Sequence, residues 1–136
     1  MSKRQVSVAI ALIMLICVPV IGQEEDEDKS YGRPNGRFYL KRDDQARIDL
    51  LYGIEQGIGL LVDENAISKE TMDRYTVRGF RFSDLKDQVD KLYQDKANIR
   101  IPISYAYVYA IRRARGDHPR EIEDFLSQLR KRFLKK

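Results

Sequence analysis

The 136-residue chain reads as an all-α domain: a compact bundle of four main helices plus one short helix, preceded by a signal peptide and a flexible acidic arm. Three observations predict that class. Between residues 44 and 136 apolar side chains recur at three- and four-residue steps. Only one stretch alternates for long enough to suggest a strand, and it has no second such stretch to pair with. Finally, helix punctuation falls at regular intervals, with Asp, Ser or Pro at the starts and Gly or Asn at the ends.

The chain opens MSKRQVSVAIALIMLICVPVIGQ, with Lys3 and Arg4 ahead of an uncharged run over residues 6–22 and small or β-branched residues at Val20 and Gly22. This is the layout of a secretory signal peptide, cleaved after residue 22, which makes the protein exported, either periplasmic or secreted. Two alternatives stay open. The same run could remain as a membrane anchor, its only contact with a membrane, and Cys17, the sole cysteine, could take a lipid. Cleavage leaves 114 residues with no cysteine, so packing alone must hold the core, and thiol catalysis, disulfides and thiolate metal sites are excluded. The chain carries +4 overall, yet EEDED at residues 24–28 is followed by 23 basic and 16 acidic residues, a body of +7. Such an acidic block reads as a solvated leader or as a shield for the basic body. Residues 23–42, with Gly32, Pro34, Asn35 and Gly36 breaking any period, complete a flexible arm from which Tyr31, Phe38, Tyr39 and Leu40 could dock onto the body. The helical domain then occupies residues 43–136.

The first long helix starts at Asp43 or Asp44, whose carboxylates suit a helix N-terminus, and ends near residue 63. Ile48, Leu51, Tyr52, Ile54, Ile58, Leu61 and Val62 form its stripe. Gly53, Gly57 and Gly59 interrupt it, each at a cost of up to about 1 kcal/mol against alanine, which predicts another backbone packed close by. A short helix over residues 68–75 follows with Ser68 as its cap. Ser83 is expected to cap the next, whose stripe is Leu85, Val89, Leu92 and Tyr93, and Asn98 to end it in the left-handed conformation.

Residues 99–111 place a large apolar or aromatic side chain at every odd position, the period of a strand. Pro102 weighs against a strand by removing a ladder hydrogen bond, whereas at a helix's first turn its missing N–H costs nothing, and Gly116 supplies the stop. The reading is an extended lead-in at residues 99–101 and a helix over 102–115, with Ile103, Ala106, Tyr107, Ala110, Ile111 and Ala114 inward. The last helix starts at Pro119 behind His118. Ile122, Phe125, Leu126, Leu129 and Phe133 are its stripe, with acids at its start and a basic cluster at its end.

Chemistry is sparse. With one histidine, a cap candidate, neither a catalytic triad nor a histidine metal cluster can form, and no cofactor or metal is expected. The aspartates at 84, 87 and 90, and Glu121 with Asp124, have the spacing of a solvated helix face, although a carboxylate-dependent hydrolase needs only two such groups. The expectation is a non-enzymatic interaction domain that contacts another macromolecule, a protein or another envelope partner, through Arg100, Tyr105, Tyr109, Arg112 and Arg113. These combine aromatic faces with cations. An anionic polymer is the alternative ligand class; nucleic acid is not expected for an exported chain.

The run YGIEQGIGLL, followed by FSDLKDQVDKLYQDKANIRIPISYAYVYAIRRARGD, resembles a group of small exported bacterial helical proteins of uncharacterised function. The matching positions are Tyr52, Gly53, Gly57, Leu85, Val89, Tyr93, Asn98, Arg100, Ile101, Pro102 and Gly116, within residues 44–130. The resemblance implies an all-helical exported domain and brings no activity with it. More distantly, the layout is similar to that of immunity proteins against type VI secretion amidases, which commonly carry cysteines absent from residues 23–136 here. The segment from Tyr93 to Pro102 has a structural reading beside the functional one: a corner where Tyr93 closes one helix onto the core and Pro102 starts the next.

Overall fold

The structure is a computed structural model that describes residues 26–134; the signal-peptide reading, with Cys17 and the first acidic residues of EEDED, lies outside them. A two-stranded antiparallel hairpin comes first, β1 (Lys29–Ser30) with β2 (Arg33–Pro34), then α1 (Gly36–Leu40), α2 (Asp44–Asp63), α3 (Lys69–Asp73), α4 (Phe82–Gln94), a 3-10 turn (Lys96–Asn98), α5 (Ile103–Arg115) and α6 (Pro119–Leu134). The fold is mostly helical, as the sequence predicts, with four helices of seven residues or more.

Local chemistry explains most boundaries. Asp43 accepts from the Ala46 amide at 2.8 Å and caps α2, and Ser68 accepts from the Thr71 amide at 3.1 Å and caps α3. Pro102 stands just ahead of α5, its carbonyl taking the Tyr105 and Ala106 amides at 3.0 and 3.1 Å. At the other end Gly116 adopts φ 80°, and the Asp117 amide reaches back to the Arg112 carbonyl at 3.1 Å. The alternating stretch is therefore a helix, with Ala106, Tyr107, Ala110 and Ile111 buried along one side. His118 Nδ1 accepts from the Arg120 amide at 3.3 Å at the start of α6.

Two boundaries differ from the sequence reading. Helix α4 begins one residue before Ser83 with Arg81 at its N-cap position, and the Asp84 carboxylate turns back to accept from the Arg81 amide at 3.4 Å. Asn98 does not take the left-handed conformation, which among non-glycine residues described here only Tyr31 and Asn65 adopt. It works instead through its side chain. Buried, it donates to the Leu92 carbonyl at 2.8 Å and accepts from Arg130 Nε at 2.8 Å, tying the end of α4 to α6.

The larger correction concerns the segment expected to be a flexible arm, which from Asp26 onward is folded. Tyr31 and Gly32 both have positive φ, 53° and 74°, the geometry of a type I′ hairpin turn. Asn35 is fully buried. Its Nδ2 donates to the Glu27 carbonyl at 2.9 Å and Ser30 Oγ at 3.2 Å, and its Oδ1 caps α1 by accepting from the Arg37 amide at 2.9 Å. It also bridges to Pro102, and the Gly36 amide donates to the Ile99 carbonyl at 2.9 Å. Tyr39, wholly inaccessible, tilts against the Tyr93 ring with centroids 5.5 Å apart. A burial of that size overrides the weak local preference of a Gly- and Pro-rich sequence.

The core joins Tyr39 of α1, Leu51 of α2, the inner faces of α4 and α5, and Leu126, Leu129 and Phe133 of α6. Tyr93 fixes the α4–α5 corner by donating to the Ile101 carbonyl at 2.8 Å. Tyr93→Phe should therefore lower stability by about 1–3 kcal/mol, because a buried carbonyl loses its donor with no change of volume. Urea unfolding followed by circular dichroism reads the shift in midpoint.

Candidate functional site

The residues singled out on α5 do not form one exposed face. Tyr105, Tyr109 and Arg112 lie one turn apart on the side of α5 that meets α6. Arg112 lays its guanidinium on the Phe125 ring at 4.5 Å, and Tyr105 packs on Phe133 with centroids 5.3 Å apart. Tyr109 is half-buried against the core. Arg113 points elsewhere, into a hollow of about 210 Å³ with Phe80, Asp84, Gln88, Asp117 and Pro119 among its walls. Arg100 sits half-buried in the link before α5. Arg112 is thus engaged within the bundle, and Tyr105 joins a larger cluster of cations and rings.

That cluster comes from three distant parts of the chain. The hairpin brings Tyr31 and Arg33 and the last turn of α6 brings Arg132 and Phe133 around a hollow of about 310 Å³, and α5 sets the Tyr105 ring against Phe133 and the two arginines. Tyr31 stands edge-on to Phe133 at 5.8 Å, and its hydroxyl approaches the Arg132 carbonyl at 3.5 Å. The guanidiniums of Arg33 and Arg132 lie 5.9 and 5.6 Å from the centroid of the same Tyr105 ring, and Arg33 also donates to the Tyr105 hydroxyl at 3.4 Å. Among the described residues no carboxylate forms an ion pair with either arginine. Neighbouring cations differ: Arg37 is paired with Glu27, Lys41 with Asp28 at 2.7 Å, and Arg130 with Asp95 at 2.9 Å. Two like charges are held beside one ring with no acid between them among the described residues, an arrangement whose charge is complementary to an anionic group. The sequence concealed it because Arg33 lies in the segment expected to be mobile. The one available signal was YGR ahead of Pro34 and Asn35, a turn that presents Tyr31 and Arg33.

The Arg113 hollow brings Asp84 and Asp117 together, the pairing that a carboxylate hydrolase needs. Arg115 grips both oxygens of Asp117 at 2.7 Å and holds that carboxyl below its ordinary range, while Asp84 faces Arg81 at 3.4 Å. The ion pair with Arg115 favours the charged form of Asp117, the opposite of the protonated state that a general acid requires. Among the described residues no group of His, Cys, Asp or Glu is placed to hold a metal ion, and no helix is long and apolar enough to cross a membrane.

The residues of the suspected family motif divide in two. Tyr93, Asn98, Ile101 and Pro102 are buried and build the α4–α5 corner described above. Tyr52, Gly53 and Gly57 are exposed on α2, Tyr52 standing edge-on to Phe82 at 5.3 Å. Among the described residues the close backbone neighbour expected at the glycines is absent: a Cβ added at Gly53, Gly57 or Gly59 would meet none of them within 4 Å. No protein-family model, curated protein or solved structure matches the chain.

Proposed function

We propose that the chain is a non-catalytic interaction domain of the bacterial envelope that binds a macromolecule displaying carboxylate or phosphate groups, with Tyr31, Arg33, Tyr105, Arg132 and Phe133 as its contact surface. The observation that carries this reading is the pair of guanidiniums, Arg33 and Arg132, beside one Tyr105 ring without a counter-charge among the described residues. Guanidinium groups in that setting are weakly hydrated and pre-oriented, so an incoming anion gains two charge-assisted hydrogen bonds at little ordering cost. The rings supply flat apolar contact around the charges. The envelope location rests on the signal-peptide reading of residues 1–22.

The test is charge reversal. The Arg33→Glu, Arg132→Glu double variant should weaken binding to immobilised heparin, used as a generic polyanion, by about tenfold or more at low salt, with a shallower dependence on salt than the parent. The same variant should lose the partner that the parent retains from envelope extracts. Arg112→Glu with Arg113→Glu should weaken both far less, since Arg112 is occupied by Phe125 and Arg113 lies in another hollow. Equal retention by the parent and the Arg33, Arg132 variant would remove this surface from the reading.

A further inference from the structure

Helix α2 has an outward face that nothing in the described chain covers. Leu51 is its only buried residue, and it points to the core. On roughly the opposite side stand Ala46, Gly53, Gly57, Leu60 and Glu64, with Leu60 59 % exposed. Beside Ala46 and Gly53 opens a hollow of about 570 Å³ between α1 and α2, also lined by Phe38, Arg42, Asp49 and the half-buried Leu50 and Ile54. Glycine is the poorest helix former after proline, and here the described residues make no use of the missing side chains. A knob, a hollow and a cleared strip of backbone thus share one helix.

These parts match each other when α2 is laid antiparallel on a second α2 about Gly53. Residue numbers that sum to 106 then face one another: Gly53 meets its own copy, Leu60 falls opposite Ala46, and Glu64 falls opposite Arg42. The exposed Leu60 of each copy enters the other's hollow. The charges also complement each other. Arg42 lies over the Phe38 ring at 4.3 Å, and among the described residues neither Arg42 nor Glu64 forms an ion pair. Every contact occurs twice, as a two-fold axis requires. We propose that two copies of the chain pair antiparallel through α2, each inserting Leu60 between α1 and α2 of the other, with Gly53 at the crossing. This interface is separate from the Tyr105 surface and does not depend on it.

Sedimentation velocity on the full chain, over about 1–100 μM, reads the dimer directly, since that range spans micromolar affinities. A dimer is expected, with Leu60→Glu and Gly53→Leu each raising its dissociation constant by about tenfold or more, the effect of a central contact. Circular dichroism should show both variants as helical as the parent, because both positions open to solvent in the single chain. Arg42→Glu should weaken the dimer and Arg42→Glu with Glu64→Arg should restore it. A monomer at every concentration would overturn the proposal. So would association that survives both Leu60→Glu and Gly53→Leu, which would place it on another surface, or a charge swap that restores nothing.

Discussion

Gly36→Ala is expected to destabilise the fold by about 2–4 kcal/mol, although alanine is normally the better residue in a helix. Gly36 opens α1 and is buried where that helix crosses the α4–α5 corner. A Cβ there would stand 2.5 Å from Tyr93 Cδ1, 2.6 Å from Cε1 and 3.0 Å from the Ile99 carbonyl oxygen. Neither neighbour can yield cheaply. The Tyr93 ring is held by its hydroxyl's hydrogen bond to Ile101 and by its contact with Tyr39, and the Ile99 carbonyl accepts the Gly36 amide itself. Relief requires α1 to lift away, exposing Tyr39. Chemical unfolding should show a lower midpoint, and hydrogen exchange should show lost protection at the Tyr39 amide ahead of the rest of the core. Gly53→Ala makes the contrast, because the space at that position is open and the substitution should raise the stability of the monomer by up to about 1 kcal/mol. A Gly36→Ala variant as stable as the parent would mean that α1 does not pack as described.

The two glycines show what a sequence can and cannot reveal. Gly53, Gly57 and Gly59 fall inside a helical stripe, where their cost is plain and a close neighbour is the natural expectation. The neighbour is not in the described chain. Gly36 lies in a segment without period and draws no attention, yet it is the glycine with a backbone and a ring against it. Local signals were enough wherever the responsible groups are near in sequence. Asp43, Ser68, Pro102, Gly116 and His118 each act within four residues, and the helices they bound follow the sequence reading closely. The folding of residues 26–42 hangs on Asn35 meeting Pro102 and on Gly36 meeting Ile99, contacts that no window of the sequence contains. The Tyr105 cluster was half legible for the same reason. Its central ring could be picked out from the alternating tyrosines, but the cations beside it arrive from the hairpin and from the last turn of α6.

Asp90→Ala should cost about 3 kcal/mol, the largest effect of any single carboxylate in the described chain, because it would leave two shielded cations without their acid. Asp90 Oδ2 accepts from Lys86 Nζ at 2.8 Å, and its Oδ1 lies 3.4 Å from Arg47 Nη1. The three side chains are only 21 %, 11 % and 18 % exposed, in the order Asp90, Lys86, Arg47, so water screens them poorly. The other acids near Lys86, Asp44 at 3.5 Å and Asp87 at 3.4 Å, are far more exposed and cannot substitute fully. Arg47 joins α2 to α1 as well, donating to the Leu40 carbonyl at 2.9 Å while its guanidinium lies 5.3 Å from the Tyr39 ring. The Asp90 charge therefore holds α1, α2 and α4 in one arrangement. Its proximity, after burial itself, also pushes the Tyr39 hydroxyl far above the usual range for a tyrosine. Removing the whole cluster should be gentler than removing its acid alone: Lys86→Met, Arg47→Met and Asp90→Leu together should recover at least half of the loss, since no unpaired charge is left behind. Urea midpoints of the single and triple variants decide it. A single variant within about 0.5 kcal/mol of the parent, the range of an ordinary surface change, would show that these charges are solvated in solution and that packing alone aligns the three helices.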